Sequence, residues 1–371
     1  MGALERKPVT APLPIPDDSR ARREEQVVTG ERRLWLLKQR LAVPLPGGGR
    51  LAVVRKWPLS GLSRAAIVLL HGFAQNRYTW HLSQRSLSAY LVERGYDVFN
   101  VELRGHAQSR GLGSRLPARF EEHVDEDLPA VARSLEALGH RQFFLFGHSL
   151  GGAVAYAAAP RLGGRVRGVA TSAGVFHWGG GAAVLRPLTR FLHAAHRLHH
   201  LLGVKQGLPI RMDWVGRLVA RSLEAVEEGR LRLPAHGWAR GGVELEVARE
   251  WLSRAFDRSS GSVLALMGLW ARTGAFCDTA GRVDYASAWA QWRGPLLVMA
   301  GDRDELADAE HDVRPAFACS RSPDRTYRAF GARDDGAAFG HIDLLIGRAA
   351  PERVWPFLGD WFDARAGRGG R

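Results

Sequence analysis

Ser149 sits between glycines in Gly147-His148-Ser149-Leu150-Gly151, just after the apolar run Phe143-Phe144-Leu145-Phe146 and just before small, helix-forming residues. A strand that passes into a helix through so tight a turn forces its central serine into a strained, outward-pointing conformation, because only glycine leaves room for the bend. Such a serine is placed as a nucleophile. A hydroxyl is weakly nucleophilic near neutral pH, so the chemistry also needs a base, an acid to orient it, and N–H donors for a developing oxyanion.

Those parts occur at fitting places along the chain. On a serine turn of this kind the acid and then the base follow in chain order. Pro295-Leu296-Leu297-Val298-Met299-Ala300-Gly301 reads as a buried strand, and Asp302-Arg303-Asp304-Glu305 follows where a parallel sheet presents its functional loops. Tyr327-Arg328-Ala329-Phe330-Gly331 reads as a last strand, after which Phe339-Gly340-His341 puts a histidine on a loop before the final helix. His341 is the expected base. His311, its rival, comes too soon after the acid loop and is expected on the following helix. Upstream, the apolar strand 65–70 runs into His71-Gly72-Phe73, so the main-chain N–H groups of Phe73 and Leu150 are expected to converge as an oxyanion hole. His148 is expected to shape the turn, and His71 to pack or hydrogen-bond beneath the oxyanion loop.

These residues need a scaffold, and hydrophobic periodicity supplies it. Segments 33–43 and 50–56 flank Pro46-Gly47-Gly48-Gly49 as a hairpin at a sheet edge. Strands around Ile67, Val98, Phe144 and Val169 then alternate with helices at 82–94, 124–138 and from Ser149 through Ala159. That alternation predicts an α/β fold: a mostly parallel, doubly wound sheet with helices on both faces. Between the Val169 and Leu296 strands lies an insertion with helical patterns at 184–202, 212–228, 243–256, 263–273 and 285–292. The expected organisation is a flexible leader at 1–30, a core at 31–175 and 290–371, and a helical cap at 176–289. Gly174 and Gly179-Gly180-Gly181 stand at the cap's start as hinges. Trp178, Trp214, Trp238, Trp251, Trp270, Trp289 and Trp292 supply apolar surface for the cap's own core and for a substrate wall. His193, His196 and His200 share one side of a helix, with His199 beside them. No carboxylate is interleaved and Arg190 and Arg197 are close, so a solvated basic face is expected there and no metal site.

Taken with Arg104-Gly105-His106 and Gly301-x-x-Asp304, these motifs resemble the α/β-hydrolase fold, in particular its cap-bearing lipases and esterases. The likeness covers roughly residues 50–175 and 290–365, leaving the middle unmatched. It implies that the acid lies three residues past Gly301, which selects Asp304 from the crowd of Asp302, Glu305 and Asp308. It implies that Arg104-Gly105-His106 braces the site. It also implies a serine hydrolase cleaving carboxylic esters through an acyl-enzyme on Ser149, with no cofactor. Dehalogenases and epoxide hydrolases of this fold carry aspartate at the nucleophile position, and polyhydroxyalkanoate synthases carry cysteine, so Ser149 speaks against those chemistries. An acyltransferase on the same three residues, or a non-catalytic binding protein that keeps the fold, are the alternatives.

Bulk properties fit that expectation. The chain of 371 residues is 46% hydrophobic, enough to bury a large core, and no apolar run reaches the roughly 18 residues of a membrane span. The N-terminus has no apolar signal-like core, and Cys277 and Cys319 make no disulfide framework, so a reducing cytoplasm is the expected compartment. A net charge of +14 could attract anionic membrane surfaces, acyl-CoA or nucleic acid. The excess is spread from Arg20 to Arg368, however, and reads as arginine-rich composition; no nucleic-acid motif is present. The expected partner is a small ester with a hydrophobic acyl chain, with peripheral contact to anionic membrane as the charge-driven addition.

Overall fold

The computed structural model describes residues 13–14, 20–179, 191 and 206–367. Ten strands form one sheet: β1 (Leu13–Pro14), β2 (Arg22–Thr29), β3 (Arg32–Pro44), β4 (Arg50–Pro58), β5 (Ala66–Leu70), β6 (Asp97–Val101), β7 (Phe143–His148), β8 (Val166–Ser172), β11 (Leu296–Gly301) and β12 (Arg325–Phe330). Between β8 and β11, β9 (Pro209–Arg211) and β10 (Arg258–Ser260) pair separately.

The strands lie in the order β1-β3-β4-β6-β5-β7-β8-β11-β12, with β2 alongside β3. From β6 to β12 every pairing is parallel, whereas β3, β4 and β6 pair antiparallel. The expected hairpin is therefore present, turning through Gly48 and Gly49, both at positive φ. All residues of β5, β6, β7 and β11 are buried, which is why these segments, apart from Asp97 and Asn100 of β6 and the terminal His148 of β7, read as apolar without alternation. Helices cover both faces. Val131 and Leu135 of the helix Leu128–Ala137 share one core with Val154 and Tyr156 of α4 (Leu150–Leu162). Leu91 of the helix Leu87–Glu93 shares the other with Leu358 and Phe362 of the helix Ala350–Asp363.

Within the leader expected at 1–30, the described residues 22–29 are ordered. Arg22–Thr29 is a strand, paired antiparallel with β3. Its RREEQVVT composition reads as polar and unstructured, but Gln26 and Val28 are buried and Lys38 of β3 donates to Glu24 at 2.8 Å. The thirteen-residue β3 supplies an edge long enough to order it.

In the inserted region the described helices are Asp213–Arg221, Leu223–Glu227, Leu245–Arg254, Gly261–Thr273 and Tyr285–Ala290. The helix expected at 212–228 is broken at Ser222. The last two helices of the insertion belong energetically to the main core: Trp289 packs on Tyr156 of α4, ring centroids 4.8 Å apart. The helical pattern at 184–202, with His193, His196, His199 and His200, lies outside the described residues except at residue 191.

Candidate active site

The winding of the sheet reverses at β5, with β6 on one side and β7 on the other. Ligands of open α/β sheets sit at such a switch point, outside the carboxyl ends of the strands. His71-Gly72-Phe73 leaves the end of β5 and Ser149 leaves the end of β7, so both expected elements stand at that crevice.

Ser149 has φ 54° and ψ −119°, a conformation non-glycine residues seldom adopt, and α4 begins at the next residue. The surroundings hold it there. Its N–H donates to Ser172 O at 3.1 Å, and its carbonyl accepts from Gly152 N and Val175 N at 2.9 and 3.2 Å. A Cβ on Gly147 would lie 2.3 Å from Gly151 O, and one on Gly151 would lie 2.1 Å from Leu70 O. The glycines thus let α4 start directly against β5. Leu150, as the first residue of α4, has an N–H with no intrahelical acceptor.

His341 and Asp304 come from the loops after β12 and β11 and meet across 2.7 Å, Nδ1 to Oδ2, both buried. The other carboxylate oxygen of Asp304 accepts from Leu306 N and Ala307 N at 2.9 and 2.8 Å, which anchors the acid. With Nδ1 committed to Asp304, Nε2 of His341 is the nitrogen left for a substrate or a nucleophile. Ser149, His341 and Phe73 line a single cavity of about 330 Å³.

The remaining carboxylates of the acid loop have other work. Asp302 accepts from Phe339 N at 2.9 Å and Ala332 N at 3.2 Å, tying its loop to the one that carries His341. Glu305 accepts from His236 N at 2.9 Å, and Asp308 caps the next helical turn through Glu310 N and His311 N. His311 pairs with Asp308 at the surface, far more exposed than His341. Among the described residues, Asp304 is the acid-loop carboxylate that reaches His341.

The nearby histidines are neutral for a visible reason. His148 packs against the His341 ring, centroids 4.7 Å apart, and donates from Nδ1 to Ser172 O at 3.1 Å. Burial, then repulsion by His341, holds its pKa well below the usual value. His71 donates from Nδ1 to Gly72 O at 2.9 Å and accepts Leu103 N at Nε2, 3.0 Å, bracing the loop that follows β5; burial lowers its pKa well below the usual value. His106 stacks edge-on against His71 at 4.9 Å, while Arg104 is buried among Glu122, Glu126 and Asp127.

The roof of the cavity comes from the inserted region. Val215 and Val219 of the helix Asp213–Arg221 line it together with Trp178, Trp238 and Trp251. Trp270, Trp289 and Trp292 are instead core side chains, and Trp214 is exposed. The segment after the roof helices is stapled to the base loop: Asp343 Oδ2 accepts from both Gly340 N and Ala239 N, and Ile342 N donates to Gly237 O at 2.9 Å. Asp343 escaped notice in the sequence, where it reads as one more acid at a helix start. Gln75, also on the cavity wall, escaped as a polar loop residue; its spacing from Phe73 was the only signal.

Residues 65–335 match the profile of the alpha/beta hydrolase fold family, and the chain belongs to that family. Among curated proteins it is similar to mouse lipase member K, 34% identical over 105 residues, which are 26% of each chain. It is also similar to Xenopus tropicalis epoxide hydrolase 3, 33% identical over 96 residues, covering 26% of this chain and 23% of that one. The chain thus matches only about a quarter of these relatives' length. Among solved structures, a monoacylglycerol lipase from Paleococcus ferrophilus superposes with a TM-score of 0.55 at 19% identity, over 85% of this chain and 99% of that one. That likeness shows a shared fold.

Proposed function

We propose that the chain is a serine hydrolase of carboxylic esters. The observation that carries this reading is the His341–Asp304 pair, closed at 2.7 Å, opening onto the cavity that Ser149 also lines. Ser149 Oγ attacks the ester carbonyl while His341 Nε2 takes its proton, and Asp304 stabilises the imidazolium that results. The N–H groups of Phe73 and Leu150 receive the oxyanion. Collapse expels the alcohol, which takes the proton back from His341, and water then releases the acid by the same steps.

The hydroxyl at 149 distinguishes this reading from the epoxide-opening chemistry in the name of one relative, which on this fold the family resemblance assigns to a carboxylate nucleophile. An almost wholly aliphatic and aromatic wall favours an uncharged ester with a hydrophobic acyl chain. Cys277 and Cys319 are free thiols, which supports a reducing, cytoplasmic setting.

A fluorophosphonate probe tests the reading directly. It is expected to label the protein at Ser149 and to leave Ser149→Ala unlabelled, with hydrolysis of p-nitrophenyl butyrate reduced by at least about 10⁴-fold in that variant. A folded protein that neither labels nor hydrolyses the ester overturns it and favours a binding protein on the same scaffold.

A further inference from the structure

Gln75 is buried on the cavity wall, two residues beyond Phe73. Its carboxamide is locked in one orientation. Oε1 accepts the main-chain N–H of Gly72 at 3.2 Å and the hydroxyl of Thr79 at 3.0 Å. A main-chain N–H can be met only by the oxygen end of an amide, so the nitrogen end is turned the other way. Among the described residues no acceptor meets that nitrogen. The amide is also close to the nucleophile: a Cβ on Gly72 would lie 2.9 Å from Gln75 Oε1 and 3.0 Å from Ser149 Cβ, so the two side chains flank one point.

With its oxygen end committed, the amide leaves on the cavity wall a donor that no described residue takes up, available to a ligand in the cavity. We propose that Gln75 is a substrate-contacting residue, its Nε2–H donating a hydrogen bond to an oxygen of the ester at the reacting centre. It adds a side-chain donor to the two main-chain donors of Phe73 and Leu150. Thr79, acting through Gln75, is the positioning residue that keeps the nitrogen aimed inward. The inference rests on the reading of Ser149 as nucleophile.

The full-length protein and its Gln75→Glu and Gln75→Leu variants provide the test. Glutamate keeps the shape and both accepted hydrogen bonds but, ionised, has no donor; leucine removes both functions. Four quantities are compared: kcat and KM for p-nitrophenyl butyrate, the affinity for an alkyl trifluoromethyl ketone that adds to the serine as an oxyanion, and Tm. In both variants kcat/KM and ketone affinity are expected to fall together, by about 10- to 100-fold, with KM little changed and Tm kept in Gln75→Glu. Thr79→Val is expected to show a smaller loss of the same pattern. Unchanged ketone affinity in Gln75→Glu, with wild type still labelled by the fluorophosphonate, overturns the inference alone. A loss confined to Tm and KM does the same. Failure of wild type to label overturns the reading of Ser149 and this inference with it.

Discussion

At the residue scale the site is asymmetric around Asp304. One oxygen of its carboxylate is held by two main-chain N–H groups, of Leu306 and Ala307, and the other faces His341. That division makes Asp304→Asn informative. The amide oxygen of asparagine would stay on the two N–H groups, which turns its NH₂ toward His341 Nδ1 and stabilises the tautomer with the proton on Nε2. Such an imidazole cannot take a proton from Ser149. We expect kcat to fall by about 10⁴-fold with Tm within a degree or two of wild type, measured by ester hydrolysis and calorimetry. A small loss of activity would mean that His341 does not depend on the acid for its tautomer.

At the scale of elements, the turn from β7 into α4 is set by backbone approach and not by side-chain chemistry. Gly151 packs so closely on the end of β5 that a methyl group would sit 2.1 Å from Leu70 O, an atom of the sheet itself and unable to yield. Gly151→Ala should therefore move α4 outward, lowering stability by about 1–3 kcal/mol or more in urea unfolding. It should also slow fluorophosphonate labelling, since Ser149 heads the same helix. The base loop is secured differently, by carboxylates accepting main-chain N–H groups: Asp302 reaches Phe339, and Asp343 reaches Gly340 and Ala239. Asp343 thus joins the roof of the cavity to the loop of His341.

The whole molecule carries a distinctive pH response. His71, His106 and His148 are buried and His81 is partly buried, and all four are held below their usual pKa of 6.5, chiefly by loss of solvent. The unfolded chain binds protons at these positions before the native state does, so their contribution is complete above pH 6.5 and is lost as pH falls below it. Asp343 runs the other way. Burial, aided by the charges of Asp304 and Glu227, pushes its carboxyl up to about 7 against the two N–H groups that favour its ionised form. Its contribution is complete below pH 3.8 and is lost as pH rises through 7. His177 is lowered by burial as well, so the histidines outnumber the raised carboxyls of Asp343, Glu102 and Asp125, and urea midpoints are expected to drop from pH 6.5 to pH 5. In Asp343→Asn the drop should be steeper, because one opposing group is gone. An equal or shallower slope in that variant would show that Asp343 titrates normally.

The sequence by itself determined the local features: an apolar run before Gly-x-Ser-x-Gly, the hairpin glycines, the alternation of buried strands and helices, and the placing of a carboxylate-rich loop and then a histidine loop after that serine. These are legible because they depend on backbone sterics and periodicity within a few residues. Only the tertiary structure decided which carboxylate of a crowded loop reaches the histidine, that Arg22–Thr29 joins the sheet, which tryptophans face the cavity, and that the oxygen of Gln75 is taken up by Gly72 and Thr79 on the cavity wall. Each of these depends on contacts between segments far apart in the chain, and no short-range pattern encodes the direction in which a side chain finds its partner.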